Sequence, residues 1–210
     1  MTQEKNNYRL EACVTSTEQA IHSEKLGAQR IEICSRLETG GMTPDIDLVK
    51  ELCKKLNIPI RVMIRPNPFG FEADQETVEA MIFSIDRFKL LPIQGFVAGV
   101  LKNNILDKES MRLLMMHAHP CPITFHKAID DSSQWIEDIN WLNNHPSIDT
   151  ILTSGRAVNA MDGTDMILRM KSIFKGNIMA GGKITPLQIP LLHKKLGLNW
   201  YHGRGIVGDL

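Results

Sequence analysis

Short hydrophobic runs alternate with longer amphipathic stretches along the whole chain. Tyr8–Cys13 is the first run. Thr15-Ser16 then offers an amino-terminal cap for a helix over Thr17–Leu26, which Gly27 ends in the manner of a left-handed carboxyl cap. Arg30–Cys34 reads as the second strand, and Thr43-Pro44 opens a helix to Leu56 with Pro44 at its first position. Ile60–Ile64 is the third strand, followed by the Pro-rich segment Arg65–Phe71 and a helix over Asp74–Leu90. Gln94–Val100, Pro122–His126, Thr150–Thr153, Asn177–Ala180 and Asn199–His202 read as the remaining strands. Helices over Lys108–His117, Ser133–Asn143, Asp165–Phe174 and Pro186–Leu196 separate them. Strands alternating with helices in this way predict a parallel sheet. Eight such units without interruption favour a closed (β/α)8 barrel, the TIM-barrel form of the α/β class, over an open doubly wound sheet.

Composition narrows the picture without changing it. A chain of 210 residues fits one domain, taken here as 1–210, near the short end for such a barrel. Lys+Arg equals Asp+Glu at 24 each, so no basic excess supports a nucleic-acid or membrane-surface partner. The stretch Met1–Asn7 is polar and lacks the apolar run of a signal peptide, and no segment reaches the ~20 apolar residues of a membrane span. Four cysteines without a secretory segment fit reduced thiols and a cytoplasmic location.

The chemistry lies at the carboxyl ends of the strands, where barrels build their sites. Side chains alternate along a strand, so Glu11 shares a face with Cys13, Glu32 with Cys34, Met63 with Arg65, and Thr124 with His126. Burying Glu11 and Glu32 in a lumen requires a cation, and Arg65, then His126, is the expected partner. The set Glu11, Glu32, Arg65 and His126 is either a structural ion network or a catalytic cluster. In the catalytic version a glutamate or His126 moves protons and Arg65 holds an anionic group.

Glycines follow several strands: Gly40-Gly41, Gly155, Gly181-Gly182, Gly203 and Gly205. Ser154, Gly155, Gly181 and Gly182 are candidate anion-binding positions, where backbone amides meet a phosphate or carboxylate; plain turn geometry is the competing explanation. No Walker or GxGxxG pattern occurs, so no nucleotide or other organic cofactor is expected. Cys13 and Cys34 stand at matching ends of neighbouring strands. They are either near-linear ligands of a soft ion such as Cu(I) or small buried hydrophobes.

These motifs carry a resemblance. Leu-Glu-Ala-Cys (10–13), Gly-Ala-Gln-Arg-Ile-Glu-Ile-Cys (27–34), Gly-Gly-Met-Thr-Pro (40–44), Met-Ile-Arg-Pro (63–66), Thr-Phe-His-Lys-Ala-Ile-Asp (124–130) and Leu-Thr-Ser-Gly (152–155) occur in order over nearly the whole chain, with a looser Met-Ala-Gly-Gly (179–182). The chain resembles the CutC family, whose members are often labelled copper homeostasis proteins. The resemblance implies a barrel, a cytoplasmic location, homo-oligomers, Cu(I) contact at Cys13 and Cys34, and charged strand-end positions at Glu11, Glu32, Arg65 and His126. It implies no established reaction, so an enzyme of unknown reaction on a small anion, phosphorylated or not, at the carboxyl face of the barrel stays open beside copper handling. Two loops depart from the family pattern. Asn67–Phe71 replaces an Arg-Gly-Gly-Asp-Phe segment, and Trp200–Gly205 replaces a His-Ser-Ser/Ala segment.

Overall fold

The computed structural model describes residues 7–209. The polar stretch before them, read above as free of a targeting signal, lies almost wholly outside the described residues. Ten strands form among the described residues: β1 Arg9–Val14, β2 Arg30–Ile33, β3 Ile60–Met63, β4 Gly95–Ala98, β5 Leu101–Lys102, β6 Ile105–Leu106, β7 Ile123–Phe125, β8 Ile148–Thr153, β9 Asn177–Gly181 and β10 Trp200–Gly203. Eight of them close a barrel in the order β1-β2-β3-β4-β7-β8-β9-β10, and β10 pairs back onto β1. Every barrel pairing is parallel. No helix among the described residues is long and apolar enough to cross a membrane.

The helices are α1 Thr17–Lys25, α2 Ile46–Lys55, α3 Gln75–Phe88, α4 Lys108–Ala118, α5 Ala128–Asp131, α6 Trp135–Leu142, α7 Thr164–Ile173 and α8 Ile189–Leu196. Ser16 caps α1 as expected, its Oγ accepting from the Gln19 amide at 3.2 Å. Pro44 is not the first helical residue. Asp45 is the cap of α2 and its carboxylate takes the Asp47 amide, because an acceptor side chain satisfies an otherwise orphaned donor.

Two elements went unread in the sequence. The hairpin β5–β6 turns through Asn103 and Asn104, both left-handed at φ 55. Asparagine tolerates that region, and the Glu72 carboxylate accepts both turn amides at 3.0 and 2.8 Å. The short α5 begins two residues after His126, with Lys127 as its cap.

Alternation divides the apolar residues into two kinds of core. Outward positions such as Ile31, Val62, Phe96, Ile151 and Tyr201 pack with Leu52, Ile85, Leu114, Ile167 and Leu192 of the helices. Inside the barrel, Cys13, Cys34, Met63 and Val97 form one small cluster, and Leu152, Met179 and Trp200 another. Charged side chains occupy the space between.

Candidate functional site

The barrel's register decides which charges meet. Glu11 on β1 lies beside Arg30 on β2 and beside His202 on β10, while Cys13 lies beside Glu32. Glu11 is fully buried, and its carboxylate bridges the Arg30 guanidinium on one side and His202 Nδ1 at 2.9 Å on the other. Arg30 in turn stacks 4.0 Å from the Trp200 ring. Deeper in the lumen Arg61 binds Asp149 and Thr124. The expected partnership of Arg65 with the two glutamates does not form. Arg30 and His202 answer Glu11, because the register sets each of them directly beside it on the two neighbouring strands.

Arg65 instead ties the mouth loops together. Its guanidinium donates to the carbonyls of Thr39, Gly41, Pro68 and Gly70 at 2.9, 3.0, 3.0 and 3.3 Å. His126 lies on the same side of the mouth, its ring 4.6 Å from that of Phe71. Burial, aided by the Arg65 charge, lowers His126 to about 3, so the imidazole is neutral at physiological pH. Its Nδ1 accepts from the Ala128 amide at 3.3 Å, which leaves the ring proton on Nε2. That atom is buried and has no partner among the described residues.

A tighter cluster sits at the floor of the mouth. Ligand atoms of Cys13, Glu32 and His202 all lie within 4.8 Å of one another. Cys13 Sγ donates to Glu32 Oε1 at 3.1 Å and stands 3.6 Å from Cys34 Sγ. Glu32 Oε2 is buried without a partner among the described residues. Burial pushes the Glu32 carboxyl up, against the pull of His202. Burial presses His202 down, but the charges of Glu32 and Glu11 outweigh it and raise the imidazole above its ordinary value. Contact with Cys34, burial and the Glu32 charge hold the Cys13 thiol well above the thiol range. The floor therefore sets a protonated Cys13 thiol beside a carboxyl and an imidazole that both hold their protons more tightly than usual.

The candidate anion positions divide. The amides after β8 do form a cradle, but the chain fills it: Asp130 of α5 accepts from Ser154 N, Ser154 Oγ and Arg156 N at 2.9, 3.1 and 2.9 Å, and from Thr153 Oγ1. Gly155 serves close approach, since a Cβ there would stand 2.1 Å from the Gly163 carbonyl. Gly181 is inside the barrel, where a Cβ would meet Leu152 Cδ1 at 2.6 Å. Gly182 lies at the mouth at φ 108.

A cavity of about 700 Å³ opens over this floor. Cys13, Glu32, His126 and His202 line its depth, while Arg65, Lys127, Arg156, Lys183 and Arg204 contribute cations to its wall. Glu11 and Cys34 do not line it. Arg65 was a site candidate from sequence, but His202, Lys127, Arg156, Lys183 and Arg204 were not. The signal for His202 was present, since Trp200 and His202 share the inward face of the last strand.

Fold and site together define a (β/α)8 barrel with a thiol–carboxylate–imidazole floor beneath a cationic mouth. The CutC family profile matches residues 8–207. A CutC family protein of Photobacterium profundum is 35% identical over 202 residues, covering 94% of this chain and 81% of that protein. The human copper homeostasis protein cutC homolog is 34% identical over 203 residues, covering 94% and 73% respectively. The solved structure of a CutC protein from Streptococcus agalactiae superposes with a TM-score of 0.89 at 25% identity, covering 95% of this chain and 99% of that one. Phosphoribosylanthranilate isomerase of Thermotoga maritima, at 10% identity and a TM-score of 0.59 over 96% of this chain and 91% of that one, shares the barrel alone. This chain belongs to the CutC family.

Proposed function

We propose that the chain binds one Cu(I) ion at the floor of the barrel mouth, through Cys13 and Cys34 with His202 and Glu32 as neighbouring donors. The observation that carries this reading is the convergence of three donor side chains within 4.8 Å, with a second thiol 3.6 Å from the first. Thiolates select Cu(I) over harder ions, and relatives are named for copper homeostasis. The spacing refines the donor set. With metal–sulfur bonds of about 2.3 Å, a linear pair needs its sulfurs ~4.6 Å apart and a tetrahedral pair ~3.8 Å. The observed 3.6 Å suits a bent sulfur pair completed by further ligands, not the near-linear pair that was one of the two alternatives drawn from sequence. His202 and the unpartnered Glu32 oxygen are the groups in position to complete it.

A catalytic role for the set Glu11, Glu32, Arg65 and His126 has weaker support. Glu11 is enclosed by Arg30 and His202, and the Arg65 donors are taken by backbone carbonyls. The copper reading is tested by competition with a Cu(I) chelator under reducing, anaerobic conditions. The wild-type chain takes up one equivalent. The Cys13→Ser, Cys34→Ser double variant, folded by circular dichroism, does not. Equal uptake by both chains removes the proposal.

A further inference from the structure

Four consecutive barrel strands end in a cation. Lys127 follows β7, and a glycine–cation pair follows or closes each of the next three: Gly155-Arg156, Gly182-Lys183 and Gly203-Arg204. All four cations line the same mouth cavity. Arg156 and Lys183 are both left-handed, at φ 59 and 54, a conformation that side-chain-bearing residues seldom adopt and that concentrates at working sites. Among the described residues, none of Lys127, Arg156, Lys183 and Arg204 has a carboxylate within salt-bridge distance. The Arg156 guanidinium gives one N–H to the Ser132 carbonyl. Asp130 is committed to the backbone amides after β8, and Asp131, though exposed, lines the same cavity. The wall thus carries more positive charge than its own acids answer.

A second observation stands apart from that charge. His126 is 3% exposed and lines the cavity, and its Nε2–H, itself closed off from solvent, has no partner among the described residues. A buried donor left unpaired is costly, and a ligand oxygen in the cavity would satisfy it.

We propose that the mouth binds a small phosphomonoester, with Lys127, Arg156, Lys183 and Arg204 around its dianionic phosphate and His126 Nε2–H donating to an oxygen at its uncharged end. Four cations suit a doubly charged phosphate better than a single carboxylate, which one guanidinium answers bidentately. A volume of about 700 Å³ lies within the ~300–1,000 Å³ of small-molecule sites. Loops after the last strands are also where barrels most often hold phosphate. The thiols are not needed, so this site stands or falls separately from copper binding.

The test is calorimetric titration of the full chain with inorganic phosphate, glycerol 3-phosphate and glycerol. Both phosphates bind, more weakly as chloride is raised, and glycerol does not. Glycerol 3-phosphate binds about fivefold tighter than phosphate through the added hydrogen bond. In the Lys183→Asn, Arg204→Gln double variant both phosphates weaken ~tenfold or more; both positions are exposed, and asparagine keeps the left-handed backbone. In His126→Phe the affinity for inorganic phosphate is kept and the advantage of glycerol 3-phosphate is lost. The Cys13→Ser, Cys34→Ser variant binds phosphate as the parent does. Absence of phosphate binding, or equal binding in the rim variant, overturns the site. A glycerol 3-phosphate advantage that survives His126→Phe overturns the role of His126.

Discussion

Replacing Arg30 with methionine removes the cation that answers Glu11 at the centre of the barrel. Burial alone would drive the Glu11 carboxyl upward, yet Arg30, His202 and the more distant Arg61 hold it at about 2 against an ordinary 4.5. That preference for the ionised form corresponds to about 3 kcal/mol at neutral pH. Breaking a buried pair costs about 3–5 kcal/mol, and His202 stays behind as a second partner, so the lower end applies. Methionine also gives up the stack on Trp200 but keeps much of the packed volume. For a chain of this size each kcal/mol moves Tm by about 2–4 °C, which places the loss at about 6–12 °C. The sign with pH is fixed by the same argument. A depressed carboxyl contributes stability above its unfolded pKa, and the contribution is lost as pH falls from 4.5 towards 2. In the variant Glu11 protonates more readily, so the gap between parent and variant is widest at neutral pH and narrows in acid. Thermal unfolding followed by circular dichroism from neutral pH downward measures it. A variant within about 1 kcal/mol of the parent at neutral pH, or a gap that does not change with pH, would refute the assignment of Arg30 as the counter-ion.

Further outcomes follow from the same contacts. His126, lowered from 6.5 to about 3, contributes stability above 6.5 that is lost as pH falls towards 3; His126→Phe should flatten that acid limb, and an unchanged limb in urea titrations would contradict it. Asp130→Ala strands the donors of Thr153, Ser154 and Arg156 and should cost about 2–4 kcal/mol in chemical denaturation; a loss under 1 kcal/mol would show that water replaces the carboxylate. Cu(I) affinity should rise with pH, because the Cys13 thiol is held protonated and must release its proton on binding; a flat profile in the chelator competition would contradict that.

The barrel was legible because its evidence is local. Period-two runs separated by capped helices specify strands and crossovers residue by residue, and boundaries moved by little, as with β1 at Arg9–Val14 against an expected Tyr8–Cys13. Pairing across the lumen was not legible. Alternation alone aimed Glu11, Glu32 and Arg65 into one space, but the stagger between neighbouring strands set their heights. Arg30 and His202 therefore met Glu11, and Arg65 rose to the loops. The cradle after β8 was visible as Ser154-Gly155, whereas its occupant was not, since Asp130 comes from a short helix that no periodicity announced. The wall cations are separated by more than twenty residues each and become an arc only when the barrel closes.

The most direct measurement is X-ray absorption at the copper edge on the chain loaded anaerobically with one equivalent of Cu(I). The expected spectrum has two sulfur scatterers with at least one nitrogen or oxygen neighbour, both sulfurs disappearing in the Cys13→Ser, Cys34→Ser variant. A first shell of nitrogen and oxygen alone, or sulfur scattering that survives the double substitution, would contradict it.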